Sequence, residues 1–270
     1  MFELCPCLDS LYAGVPDEIA LRSLADLGFR HFEFWDWRTH DLEVLAKARA
    51  AYGLHPVVFS ANTFAEPLVS TRAHPAALTQ IRQSVAHAAR LGTTALVIHV
   101  GYAAAGDTRE KQWEAAVAAL RRGGDLAAEA GVQLLVEPLN SAVDHPGYFL
   151  DSLSQARRLL EEAHHPSIRL LLDVYHLWVM HPDLLADLPA VVAITGHVHL
   201  ADAPGRHEPG TGTIPWPAVM NLLSDGGYRG LLGLEYFPST DVSLSLLASR
   251  RVLGLESHDT RDAPRRNGTR

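Results

Sequence analysis

The feature that most constrains this chain is a rhythm: short apolar runs of strand character alternate with amphipathic segments of helical period along almost its whole length. The runs are FELCPCL, HFEFW, HPVVFSA, TALVIHV, VQLLVEPLN, SIRLLLDVYH, AITGHVHLAD and GLLGLEYFP. Following them come DEIALRSLADLG, DLEVLAKARAAYG, PAALTQIRQSVAHAARLG, REKQWEAAVAALRRGGDLAAEAG, SLSQARRLLEEAHH, a shorter segment near PDLLADL, WPAVMNLLSDGG and SLSLLASRRVLG. Near-continuous apolar strands separated by helices belong to a parallel sheet with covered faces. Eight such units within residues 1–255 predict an α/β fold of one domain, a closed (β/α)8 barrel, over an open doubly wound sheet. An open sheet would also offer a glycine-rich phosphate turn after its first strand, whereas SLYAGVPDE has one glycine and no G-x-G-x-x-G. Gly123 and Gly124 mark an expected kink in the fourth helix. Residues 256–270 are polar, lack apolar period, and read as a disordered tail.

Charge and composition narrow the function classes. Of 270 residues, 31 are acidic and 23 are Lys or Arg, for a net charge of −8. A duplex-DNA binder needs a basic stripe to displace counterions, so no nucleic-acid partner is expected. No apolar run approaches the roughly 20 residues of a membrane span, so no membrane role is expected either. The start, MFELCPCLDSLYAG, lacks the basic and long apolar regions of a secretory signal, which predicts a cytoplasmic protein. Cys5 and Cys7 are the only cysteines. Their i,i+2 spacing suits two small buried side chains on one face of a strand and is poor for a disulfide. A homo-oligomer is compatible with the sequence.

In a barrel of this kind the active site forms at the C-terminal ends of the strands. Strand five ends in Glu137, strand six in Asp173, strand seven in His199 and strand eight in Glu235. A lone carboxylate at a strand end is usually a helix cap or a loop acceptor. Four successive strands, each placing one such group at the same level, change that reading. Like charges in a dry cavity are costly unless a cation or protons compensate, and a divalent metal is the simplest compensation. Three carboxylates and one imidazole are mostly hard donors, which favours Mn2+, Mg2+ or Co2+, with Zn2+ also compatible.

Other polar groups surround this set. His197 shares a face with His199 one layer below, as expected of a buried, hydrogen-bonded partner. His176 leaves strand six within reach of a substrate oxygen, and His99 lies at the mouth of strand four; each is otherwise a satisfied rim histidine. Trp35 and Trp37 follow strand two, as packing residues or as an apolar wall. The stretch APGRHEPGTG reads as a shaped loop leaving strand seven, with Arg206, His207 and Glu208 displayed on it.

At these residues the chain resembles the xylose-isomerase-like barrel superfamily and, within it, the hydroxypyruvate isomerase family. The resemblance covers residues 1 to 255 and rests on EPLN at 137–140, DVYH at 173–176, GHVHLAD at 196–202, RHEPGTG at 206–212 and GLEYFP at 233–238. It implies that Glu137 and Glu235 are an acid/base pair that also binds metal, and that Asp173 and His199 complete the ligands. It further implies that His176, Arg206 and Glu208 contact substrate. Hydroxypyruvate isomerases usually carry glutamine where this chain has His199, whereas the related ketose 3-epimerases carry histidine. The loop around Arg206, seven residues after His199, keeps the hydroxypyruvate isomerase form. The three-zinc apurinic endonucleases share similar ligands but need further histidines and a D-x-H motif, where this chain has Arg206-His207-Glu208.

The chemistry so implied is an aldose-ketose type isomerisation of a small hydroxy-carbonyl compound, hydroxypyruvate and tartronate semialdehyde, through a cis-enediolate. One divalent metal would grip the substrate oxygens, and Arg206 would hold a substrate carboxylate. A ketose 3-epimerase, another sugar isomerase and a barrel that binds a sugar without turning it over are the alternatives.

Overall fold

The computed structural model describes residues 2–181 and 183–255. The expected tail, residues 256–270, lies outside them. The strands are β1 (Leu4–Pro6), β2 (His31–Glu33), β3 (His55–Ser60), β4 (Ala95–Ile98), β5 (Gln133–Val136), β6 (Ile168–Asp173), β7 (Thr195–Leu200) and β8 (Leu232–Leu234). The helices are α1 (Leu8–Leu11), α2 (Asp17–Asp26), α3 (Leu42–Tyr52), α4 (His74–Leu91), α5 (Arg109–Glu129), α6 (Leu153–Ala163), α7 (Val174–Met180), α8 (Leu184–Asp187), α9 (Trp216–Asp225) and α10 (Val242–Val252). All seven ladders are parallel, in the order β1-β8-β7-β6-β5-β4-β3-β2. The seam between β1 and β2 is closed by a single parallel bridge, Cys7 to Glu33. The expected barrel is therefore present, nearly closed. No helix among the described residues is long and apolar enough to cross a membrane.

The period of two along each strand sorts side chains between two cores. Leu96, Ile98, Leu134, Val136, Leu170, Leu172, Val198, Leu200, Leu232 and Leu234 face outward and join the helices in one large core. The alternate residues Val58, Val97, Leu135 and Leu171 form a separate apolar cluster that fills the lumen. Burial on both faces explains why the strands read as apolar runs rather than alternating ones. Above the lumenal plug, the next inward positions are polar, and these build the site.

One local reading changes. Helix α5 runs unbroken through Gly123 and Gly124. A Cβ on Gly123 would lie 3.2 Å from Leu134 Cδ1, and one on Gly124 would lie 2.7 Å from His165 Nδ1, so the pair serves close packing rather than a kink. Strand β6 ends at Asp173 as expected, and helix α7 follows it, capped by the Asp173 carboxylate, which accepts from His176 N at 2.8 Å. Cys5 and Cys7 are free and buried, as expected of small apolar side chains.

The seam depends on a side-chain network. Asp9 Oδ2 accepts from Trp35 N at 2.6 Å and lies 3.1 Å from His40 Nε2, while His40 Nδ1 lies 2.7 Å from Asp17 Oδ1. Burial opposes a charge on His40, yet the hydrogen bonds to Asp17 and Asp9 prevail and raise its pKa to about 9. A raised folded-state pKa gives stability that is complete below the unfolded value of about 6.5 and is lost as pH rises through 9. Denaturant unfolding is expected to show stability falling between about pH 6.5 and 9, and His40→Gln is expected to flatten that decline.

Candidate active site

The C-terminal strand ends bring four of the sequence-selected residues together. One donor atom from each of Glu137, Asp173, His199 and Glu235 lies within 4.8 Å of every other. Register accounts for this: Asp173 pairs with His199, and His199 with Gly233, two residues before Glu235. The four are 4%, 1%, 5% and 6% exposed, so their charges meet almost no water. His199 Nδ1 lies 3.0 Å from Glu235 Oε2, 3.5 Å from Glu137 Oε1 and 3.9 Å from Asp173 Oδ2, with no hydrogen-bond partner in good geometry.

Glu33, on β2, completes the arrangement and was not singled out by sequence. It is 2% exposed, and its Oε2 lies 2.9 Å from His197 Nε2 while Oε1 lies 3.4 Å from His199 Nε2. A carboxylate facing Nε2 favours a proton on that side, which would leave Nδ1 as the atom that gives up its proton to a metal in the four-donor centre. Gly233 makes room for it, since a Cβ there would lie 2.5 Å from Glu33 Oε1. His197 is thus the buried, hydrogen-bonded partner expected.

The electrostatics divide the carboxylates. Burial tends to neutralise Glu235, but Arg206 and His199 overcome it and hold the group below the usual carboxylate range. Its Oε2 accepts from Arg206 Nη2 at 2.9 Å, and its Oε1 accepts from Trp35 Nε1 at 2.5 Å. Burial pushes Asp173 up to about 7, with Glu235 and Glu137 adding and Arg206 opposing. Burial also raises Glu137, with the Glu235 charge contributing and His199 opposing. For His199, burial is outweighed by Glu33 and Glu235, which raise it well above its ordinary value. The protein's own cations leave two carboxylates resisting ionisation, and His199 Nδ1 is a buried orphan among them. A metal ion fits that deficit, and the oxygen-rich donor set and spacing match a ligand shell of about 2.0–2.2 Å after small side-chain adjustment.

His176 is buried on α7 and held by Asn140. Asn140 Oδ1 accepts from Val143 N and Asp144 N, so its Nδ2 must donate, to Asp144 Oδ2 at 2.6 Å and His176 Nδ1 at 2.7 Å. His176 Nδ1 therefore accepts, and the proton sits on Nε2, which has no partner and is 3.9 Å from Asp173 Oδ2. Burial, reinforced by Arg206, holds this ring neutral. His99 Nε2 bonds Ser60 Oγ at 3.3 Å, its Nδ1 lies 3.9 Å from Glu137 Oε2, and burial lowers its pKa to about 4. Both histidines line a cavity of about 290 Å3, together with Glu33, Glu137, His199, Arg206 and Glu235.

Arg206 reaches the cavity from an ordered loop. Asp202 accepts from Ala203 N, Ile214 N, Gly210 N and Trp216 Nε1, which fixes the loop's two ends and its far turn. Arg206 itself adopts φ 54°, a left-handed conformation that a non-glycine residue holds only where its surroundings dictate it. Its Nε is buried without a partner. Glu208 is not in the cavity lining: its carboxylate accepts from Ser239 N at 2.9 Å and Ser239 Oγ at 2.6 Å, tying the β7 loop to the β8 loop. Trp35 lines the cavity, whereas Trp37 donates to Ser84 Oγ at 3.0 Å and packs on His87.

If Glu33 sets the His199 tautomer, Glu33→Gln is expected to weaken metal binding by about 10- to 100-fold while the barrel stays folded. Calorimetric titration with Mn2+, beside a circular dichroism spectrum, measures both.

Comparison with known proteins agrees with this geometry. Residues 21–253 match the family model of the xylose isomerase-like TIM barrel. The chain is 30% identical to the hydroxypyruvate isomerase of Escherichia coli K12 over 246 residues, covering 88% of this chain and 94% of that one. A crystal structure of AP endonuclease, family 2, from Brucella melitensis superposes with a TM-score of 0.83 at 27% identity, covering 91% of this chain and 97% of the other. The structure of an L-ribulose 3-epimerase superposes with a TM-score of 0.81 at 24% identity over 94% of each chain, a likeness of fold. The chain belongs to the xylose isomerase-like TIM barrel family and, within it, to the hydroxypyruvate isomerases, and is an isomerase.

Proposed function

We propose that the chain interconverts hydroxypyruvate and tartronate semialdehyde, by metal-dependent proton transfer through an enediolate. The observation that carries this reading is the convergence of Glu137 and Glu235, from β5 and β8, on one cavity that also holds the free N–H donors of His176 and Arg206. Moving a carbonyl to the neighbouring carbon requires removal of a weakly acidic C–H proton and delivery of a proton next door. Two carboxyl groups on different sides of the carbon frame serve that purpose. Glu137, Asp173, His199 and Glu235 would hold one divalent ion, with Mn2+, Mg2+ or Co2+ suited to the oxygen-rich set and Zn2+ compatible. When bound, that ion supplies positive charge where the substrate oxygens become negative.

The remaining steps belong to this chain's side chains. Glu235 is held ionised by Arg206, His199 and Trp35, whereas Glu137 is pushed up by burial. The two therefore differ in proton affinity, as a donor and acceptor working together require. His176, fixed as an Nε2–H donor, would bind a substrate oxygen, and His99 Nδ1 would face the same space. The free N–H groups of Arg206 would take a carboxylate, which suits a hydroxy-oxo acid better than a neutral ketose. Glu208 would support Arg206 through the loop rather than touch substrate.

A ketose 3-epimerase is the second reading, and His199 favours it. The same pair of glutamates would then remove and return a proton on opposite faces of one carbon. In either case solvent deuterium should enter the product carbon, and Glu137→Gln should lower kcat by about 10²- to 10⁴-fold while substrate binding survives. NMR in D2O measures this; complete intramolecular hydrogen transfer without exchange would sink proton transfer through the glutamates.

Arg206 separates the two readings. Arg206→Ala is expected to raise KM for hydroxypyruvate about 10- to 100-fold, since a charge-assisted contact contributes about 1.5–3 kcal/mol. For a neutral ketose the change should be small, and Arg206→Lys should recover only part of the loss, because an ammonium lacks the fork. Equal effects on both substrates would move the epimerase ahead.

A further inference from the structure

The cavity has two chemically different halves. On the β5 to β8 side stand Glu137, Glu235, His176, His199 and Arg206, with Glu33 of β2 against His199. The opposite wall, from β2 to β4 and the loop after β5, presents Phe34, Trp35, Val58, Phe64, Val97 and Leu139. Most polar groups among these apolar side chains already have partners; the exceptions on the same lining are Glu33 Oε1, against His199, and His145, whose Nδ1 pairs with the Tyr102 hydroxyl. Asn62 is bound at both ends to the His99 backbone, accepting from N at 3.0 Å and donating to O at 2.9 Å. Ser60 Oγ pairs with His99 Nε2, Thr63 Oγ1 donates to Gln80 Oε1, and the Trp35 indole N–H is held by Glu235. His99 Nδ1, which is free, looks back toward Glu137.

Extent points the same way. The cavity, of about 290 Å3, extends past the glutamates and Arg206 onto Phe34, Val58, Phe64, Val97 and Leu139. With its carboxylate at Arg206 and its reacting carbons at the glutamates, the rest of a longer substrate extends onto the apolar wall. A hydroxyl placed there loses its water and finds few partners that are not already engaged.

We propose that this wall is a subsite for an apolar group, so that the substrate is a hydroxy-oxo acid, R–CH(OH)–CO–COO−, whose R is an alkyl substituent rather than a hydroxylated chain. This rests on the isomerase reading for the placement of the carboxylate and the reacting carbons. Hydroxypyruvate, with R a hydrogen, then leaves the subsite empty. Ethyl and hydroxymethyl substituents have the same number of heavy atoms, so comparing them isolates the hydroxyl. An apolar pocket discriminates against an added hydroxyl by about 100-fold at most.

The test is direct binding of two unreactive diol acids to the Mn2+-loaded protein, read by calorimetry. 2,3-Dihydroxypentanoate and 2,3,4-trihydroxybutanoate, matched in configuration at the shared carbons, carry the ethyl and hydroxymethyl groups. The pentanoate is expected to bind about 10- to 100-fold more tightly. Val97→Thr, which keeps the shape and adds a hydroxyl to the wall, is expected to narrow that ratio about tenfold. Equal affinities, tighter binding of the trihydroxy acid, or binding of neither would overturn the proposal, on the unsubstituted protein alone if the variant does not fold. Turnover of the corresponding oxo acids in D2O reports separately on the isomerase. A preference for the pentanoate with no deuterium entering any oxo acid would leave the subsite standing and remove the isomerase reading.

Discussion

The rest of the site depends on one constraint, the burial of four carboxylates at the top of a barrel lumen. Glu33, Glu137, Asp173 and Glu235 are all less than a tenth exposed, and the cations beside them are Arg206 and His199. Buried charge is tolerated only when paired, so proximity to those cations decides each group's state. Glu235 touches both and stays ionised. Glu33 lies against His197 and His199, which together overcome its burial and lower its pKa. Glu137 and Asp173 have less compensation and rise. The arrangement is strained electrostatically in the protein alone, and a divalent ion would relieve it at the point where His199 Nδ1 faces three carboxylates.

The fold supplies the rigidity that such a cluster needs. Each of the four clustered side chains sits at or just beyond the end of a parallel strand held by ladders on both sides, above an apolar plug in the lumen. Loops provide the mobile-chain residues, but here they too are fixed by buried acceptors. Asp202 gathers four N–H groups to shape the Arg206 loop, and Glu208 fastens that loop to its neighbour through Ser239. Acidic residues thus serve two purposes: in the lumen they concentrate negative charge, and in the β7 loop they replace missing backbone partners.

Period and composition made the barrel legible, because eight covered parallel strands leave an apolar signature that few other folds share. The clustering of Glu137, Asp173, His199 and Glu235 was legible for the same reason: each is an acid or imidazole at the end of an apolar run, and the runs are consecutive. Glu33 was not, since in HFEFW a single acid between aromatic residues gives no hint of facing His197 and His199 across the lumen. Two histidines on one inward face did signal that a buried acceptor was needed, without saying from which strand. That Glu208 pairs with Ser239, outside the cavity lining, was not legible, because a loop acid shows its neighbours in sequence, not the serine of another loop 31 residues on. Asp173 combined two readings that were weighed against each other, since one oxygen caps α7 while the other faces the cluster.

The barrel seam ties these levels together. Everywhere else adjacent strands share a ladder, but β1 and β2 meet through one bridge, Cys7 to Glu33, so backbone pairing alone holds this part of the wall weakly. Both bridge residues border the cavity, and Trp35, two residues farther, reaches across to Glu235. Its backbone N–H is held by Asp9, and Asp9 is in turn held against Asp17 by His40. An ion-paired histidine at the surface end of the seam therefore sets where the indole stands. The indole sets one oxygen of Glu235 while its ring forms part of the apolar wall. Position at the seam is transmitted through hydrogen bonds rather than a ladder, and this makes the seam the part of the barrel where side chains, not strand pairing, define the shape offered to a substrate.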